Sequence, residues 1–337
     1  MLIRLIVLLL CLAGFVGGCG ASHDGELRWR FETKKAHQQW AVADAQRLYV
    51  CADDVYCLDI ATGDLLWQFQ TFGAHSSEPV LDGARLFFQC GGVYALDAET
   101  GALLWEFWTT TWATAAPAVA GERVYAESGG RLYCLDAASG KRFWSVKTGA
   151  VDIAPVVTKD RVFYSNEAII VCLDAATGKE VWRVDTDSDR VHLAADGGVL
   201  MSVDSGGLVR LHRVETGQVQ WSFVTGALLV RFCMLPSGQV ILSAGVLYCL
   251  DVNSGEEVWR FSRKGVLFLD AWVLGACVIA KGHSGDFFFV RLRDGMILRR
   301  MHMPGGGKLF VDGNGAVFQG RRSRTVDCIS VRVGGLL

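Results

Sequence analysis

The chain has 337 residues, with 33 basic against 35 acidic side chains and a net charge of −2, so no positive excess draws it onto nucleic acid. Apolar residues make up 51% of it and proline occupies only five positions, which excludes a largely disordered chain and supports a large buried core.

The first residues read as a targeting signal. Met1 to Arg4 is a short positive start, and Leu5 to Phe15 is an apolar run too short for an ordinary membrane-spanning helix. The run ends in Val16-Gly17-Gly18-Cys19, which resembles a bacterial lipoprotein lipobox, with an ordinary cleaved signal as the alternative. The resemblance implies a signal peptide over 1–18, a mature chain beginning at a lipidated Cys19, a short tether over 19–24 and a hold on the membrane through acyl chains. Gly20, not aspartate, follows, which in a Gram-negative lipoprotein points to the outer membrane, facing the periplasm. A soluble periplasmic or other extracytoplasmic protein is the alternative location.

From residue 25 onward the chain repeats. Leu96-Asp97-Ala98-Glu99-Thr100-Gly101 with Trp105 recurs, with variations, around turn glycines at 25, 63, 101, 140, 178, 217, 255, 295 and 334, spaced by 38 to 40 residues. Four short strands and their turns need about forty residues, the length of one propeller blade. The Asp holds each turn through backbone hydrogen bonds, and glycine supplies the positive φ that closes it. Four residues beyond the glycine, Trp29, Trp67, Trp105, Trp144, Trp182, Trp221 and Trp259 are expected on outermost strands, docking against the next blade. The pair Asp97 and Glu99 therefore belongs to a turn, not to an acid–base site.

Gly25 has too little chain before it for a blade, and Gly334 too little after it for a tryptophan strand. The expected fold is all-β: an eight-bladed propeller of four-stranded antiparallel blades over 25–334, the N-terminal strand closing the last, with a tail at 335–337. Two repeats depart from the pattern. His212-Arg213 replaces Leu-Asp before Gly217, and Arg291 and Arg299 replace Asp and Trp around Gly295. With Arg300, Arg321, Arg322 and Arg324 these arginines make the closing sector basic, a solvated degenerate region or a face for acidic groups.

Of eleven cysteines, Cys57, Cys134, Cys172, Cys249 and Cys328 share the strand position that Ala95 fills, which reads as a small buried apolar side chain, not a disulfide framework. No CxxC pair suggests zinc or redox chemistry, and the seven histidines are scattered. His283 near Asp286 is a plausible loop pair.

The Ala-Leu-Asp-Ala-Glu-Thr-Gly-Ala-Leu-Leu-Trp pattern of 95–105 resembles the tryptophan-docking repeat of the pyrroloquinoline-quinone (PQQ)-like propellers. That superfamily is typically eight-bladed and includes quinoprotein alcohol dehydrogenases and outer-membrane assembly lipoproteins of the BamB type. The dehydrogenase branch implies an adjacent cysteine pair and a calcium site of Glu, Asn and Asp. This chain has no Cys-Cys dipeptide, and its asparagines are Asn166, Asn253 and Asn314. The lipoprotein branch implies a non-enzymatic scaffold that binds envelope proteins, as one member of a complex, in outer-membrane β-barrel assembly. No catalytic residue, cofactor or metal site is expected. A quinoprotein-like enzyme and a small-ligand or carbohydrate sensor are the alternatives. Four tryptophans outside the docking position, Trp40, Trp108, Trp112 and Trp272, are candidate partner-binding residues.

Overall fold

The computed structural model describes residues 26–35, 40–71, 77–109, 115–149, 154–166, 168–186, 188, 191–196, 198–227, 231–302, 308–311, 316–320 and 325–330. The leader 1–18, Cys19, the tether 19–24, Gly25, Trp112, Arg321, Arg322, Arg324, Gly334 and the tail 335–337 lie outside these residues. Among the described residues no helix is long and apolar enough to cross a membrane.

Strands group into four-stranded antiparallel sheets whose first strands adjoin those of neighbouring sheets, the arrangement of a β-propeller. Seven blades are each one continuous run of chain: blade 1 over 40–69, blade 2 over 80–108, blade 3 over 118–147, blade 4 over 156–185, blade 5 over 191–224, blade 6 over 231–261 and blade 7 over 268–302. This corrects the expectation of eight blades: seven are complete in themselves. The remaining sheet is a composite of Lys308–Val311, Ala316–Gly320 and Thr325–Ser330 with the N-terminal strand Glu26–Glu32 at its outer edge. The physical reason is chain length at the two ends, since neither end alone carries four strands.

In this closing sheet Glu26–Glu32 pairs antiparallel with Thr325–Ser330 from Glu26↔Ser330 to Glu32↔Thr325. Arg30 forks onto the buried Asp327, with Nε 2.7 Å from Oδ1 and a terminal nitrogen 3.0 Å from Oδ2.

Blade 3 shows how sequence becomes sheet. Val124, Ala126 and Leu135 point toward blade 2, while Tyr125, Leu132 and Cys134 point toward blade 4, so the strands are apolar on both faces. The apolar core is thus the set of layers between blades. Each third strand ends in the repeated turn. Asp136 accepts the Ser139 N–H and hydroxyl at 2.7 and 2.6 Å, and the Gly140 N–H reaches the Asp136 carbonyl at 2.8 Å. Asp97 does the same with Thr100, whose hydroxyl holds that carboxyl below the usual range.

Every outer strand carries a β-bulge at one position. In blade 1 Cys57 pairs with Trp67 and Leu58 with Leu65, leaving Leu66 as the extra residue. Leu104, Phe143, Val181, Gln220, Val258 and Leu298 are extra in blades 2 to 7, and Arg28 in the closing sheet.

Candidate functional site

The seven repeat tryptophans sit at joints between sheets. Each indole lies over the turn glycine of the next blade, and its N–H donates to a carbonyl there. The bonds run from Trp29 to Ile60, Trp67 to Ala98, Trp105 to Ala137, Trp144 to Ala175, Trp182 to Val214, Trp221 to Val252 and Trp259 to Leu292, at 2.7 to 3.2 Å. A Cβ placed on Gly101 would come within 2.6 Å of the Trp67 ring, so only glycine admits the indole there. Blade 7 has Arg299 opposite Phe289 where the other blades have this tryptophan.

These turns occupy one face of the ring. On the other face lie the hairpins between second and third strands and the connections that carry the chain from one blade to the next. A threonine eight residues past the turn glycine recurs on this connection face. Thr71 and Thr225 donate their hydroxyls to the carbonyls of Asp53 and Gly207, at 2.8 and 2.9 Å. Thr148 and Thr186 use their backbone N–H instead, toward Gly130 and Ala168. This repeat is legible in the sequence at 33, 71, 109, 148, 186 and 225 but escapes a search anchored on glycine and tryptophan.

Blade 1 gathers a dense polar group on that face. Asp53 and Asp54 are buried in its second hairpin. Asp54 accepts from Gln68 Nε2 at 2.5 Å and Thr71 N–H at 3.0 Å, with Lys34 Nζ at 3.4 Å, while Asp53 accepts the Tyr56 hydroxyl at 3.0 Å. Burial pushes the Tyr56 phenol well above its ordinary range, so it stays a donor. The carboxylates thereby tie the second hairpin to the end of blade 1's outer strand and to Lys34 of the connection from the closing sheet.

On the next blade stands Trp108, the last residue of blade 2's outer strand and 60% exposed. Its ring meets Tyr94 edge-on at 6.1 Å, and Tyr94 stacks on Phe88 at 5.2 Å. Trp40, half-buried at the start of blade 1's first strand, packs against the cluster containing Tyr94 and Phe88. Both indoles thus border the apolar layer between blades 1 and 2, Trp40 from a first strand and Trp108 from an outermost one. Trp272 is elsewhere, half-buried in blade 7 against Cys277, Ile279 and Phe289.

His283 and Asp286 are not paired. His283 Nδ1 accepts from the Leu267 N–H at 3.1 Å, and Asp286 instead holds Ser284, Arg300 and His302 at 2.6, 2.9 and 3.0 Å. Burial alone would raise the Asp286 carboxyl, but those bonds outweigh it and hold it at about 2. Arg291 of the basic sector is paired with Asp294 at 2.9 Å. Among the described residues eight cysteines are buried and Cys233 is half-buried, and burial pushes the Cys57 and Cys172 thiols up to about 12. Among the described residues no cluster of three or more His, Cys, Asp or Glu side chains is placed to hold a metal ion.

The family model described as "Outer membrane protein assembly factor BamB", of the PQQ-like repeat class, matches this chain in overlapping stretches over residues 16–107, 89–222, 128–260 and 166–309. The chain belongs to this family. A search of the curated proteins finds no match to it. Among solved structures, BamB from Moraxella catarrhalis is similar over 91% of this chain and 100% of that chain, with a TM-score of 0.69 and 17% identity. A quinohemoprotein alcohol dehydrogenase from Pseudomonas putida is similar over 93% of this chain and 77% of that chain, with a TM-score of 0.74 and 14% identity. A europium-containing methanol dehydrogenase covers 87% and 84%, with a TM-score of 0.68 and 15% identity. At such identities these structures share the fold with the BamB-family chain, and function has to be argued from its own residues.

Proposed function

We propose that this chain is a non-enzymatic, lipid-anchored propeller scaffold that binds other envelope proteins, in outer-membrane β-barrel assembly. The carrying observation is the match of the BamB family model across 16–309. On this reading Cys19 bears the acyl chains, and the propeller stands in the periplasm as one subunit of a complex. The exposed indole of Trp108, held edge-on by Tyr94, supplies a rigid aromatic anchor of the kind that dominates protein interfaces.

The test is affinity capture of the full lipoprotein from solubilised membranes. A defined partner should be retained, and Trp108→Ala should weaken its capture by about tenfold or more while leaving the melting temperature unchanged. Recovery of the chain alone, or equal capture by the variant, would overturn the respective part of the reading. Adding PQQ and calcium to the purified protein separates the dehydrogenase alternative, because a new absorbance band or a thermal shift would favour that chemistry over a scaffold.

A further inference from the structure

We infer that the outer strands of the closing sheet, blade 1 and blade 2 form an apolar arc that rests on the bilayer surface beside the lipid anchor. The inference rests on the reading of Cys19 as the anchored residue.

The bulge in each outer strand breaks strict alternation, so the two residues before the docking tryptophan both come to the outside of the ring. In blades 1 and 2 both are leucine. Leu65, Leu66, Leu103 and Leu104 are 45 to 49% exposed, and Leu27 of the closing sheet is 49% exposed. Ile297-Leu298 of blade 7 continues the apolar run on the other side of the closing sheet, whereas the same two positions in blades 3 to 6 are tempered by polar groups. They read Arg142-Phe143, Glu180-Val181, Val219-Gln220 and Glu257-Val258. There the Arg123 guanidinium lies 4.4 Å over the Phe143 ring, Glu180 is ion-paired with Arg183, and Glu257 with Arg260. The residues that could cover the leucines in the same way, Gln68 and Glu106, are not such partners: Gln68 is turned to Asp54, and Glu106 has no guanidinium beside it on its own strand.

The position of this arc says what covers it. It begins on the strand into which the N-terminal segment runs, and Leu27 is itself one of its residues. Eight residues lead from Cys19 to Leu27, a reach of at most about 29 Å when fully extended. Acyl chains fixed at Cys19 therefore keep the membrane within that distance of Leu27, and the apolar side of the ring is the side turned to it. Exposed Arg28, the extra residue of the closing sheet's bulge, adds a cation beside the leucines suited to phospholipid headgroups.

Site-specific photo-crosslinking in native membranes tests this. A benzophenone amino acid replaces Leu66 or Leu104 in the arc, and Val181 or Val219 opposite, in the full-length lipoprotein. Lipid adducts at 66 and 104 should exceed those at 181 and 219 by about tenfold, the discrimination expected from burying one such side chain. Protein adducts at 66 and 104, equal lipid yields around the ring, or no adducts at any position would each overturn the docking arc. A carbonate wash distinguishes the underlying failure. Release of the chain from the membrane would defeat the anchoring reading, whereas retention with equal adducts would defeat only the arc.

Discussion

His212 occupies the position that Leu58, Leu96, Leu135, Leu173 and Leu250 hold in other blades. Its Nδ1 lies 3.0 Å from the Gly217 carbonyl, which can only accept, so that nitrogen carries the proton. Nε2 then accepts the Ser202 hydroxyl at 2.7 Å. Burial lowers the proton affinity of this ring, and the nearby Arg210 adds to the effect. The unfolded chain therefore binds the proton more readily, and stability falls as pH drops below about 6.5 toward the depressed folded value. The carboxylate Asp286 acts in a separate window, because its contribution is lost only as pH falls from about 3.8 toward 2. Melting curves between pH 7 and 5 should thus show a loss that the double variant Ser202→Ala, His212→Leu flattens. An unchanged slope would mean that another group sets it.

The outer strand is the element on which the ring depends, and its parts differ in how openly the sequence displays them. The turn glycine and its tryptophan are visible because a positive φ and a flat ring each admit few residues. The bulge is invisible, because it exists only in the register between third and fourth strands, and Leu66 reads as one more strand residue. Polar strand ends were equally opaque: Gln89 looks like a turn residue, yet it is buried with its Nε2 donated at 2.8 Å to the Ala115 carbonyl of the connection to blade 3. Candidate partner residues were legible only as tryptophans out of step with the repeat. That Trp40 and Trp108 border the same layer between blades 1 and 2 while Trp272 packs within blade 7 follows from the fold. Energetically, Trp105 joins burial to one hydrogen bond. Trp105→Ala should cost about 3–5 kcal/mol, and Trp105→Phe, which keeps a ring but loses the indole bond of about 1 kcal/mol, clearly less. Denaturant unfolding measures both, and equal losses would show that burial of the ring adds nothing beyond the hydrogen bond.

At the scale of the molecule, the repeat spacing and the two incomplete ends pointed to a ring joined by its N-terminal strand. What they overcounted was the blades, seven instead of eight, because the repeat split between the two ends forms only a composite closing sheet. The docks run in one rotational sense, from closing sheet to blade 1 and onward to blade 7, and the joint from blade 7 back is the one where Arg299 stands in the tryptophan position. Stability of such an array is a sum of sheets and their joints. Deleting 26–31 removes the outer ladder of the closing sheet together with Trp29, and the melting temperature should fall by roughly 10 °C. A circular permutant that carries 26–35 after residue 337 should recover most of the loss. An unchanged melting temperature in the deletion would mean that the ring closes without this strand.

Glu26–Glu32 has a mechanical consequence. The strand that receives the N-terminal segment is also the latch of the ring, so any tension along that segment loads the latch before it reaches a blade. A pull from residue 25 acts on the Glu26↔Ser330 end and peels the ladder pair by pair instead of shearing all its bonds together, until it meets the Arg30–Asp327 fork. The propeller is therefore stiff to crowding from the side and yielding to a tug on its leash, and the first thing such a tug releases is Trp29 from Gly63.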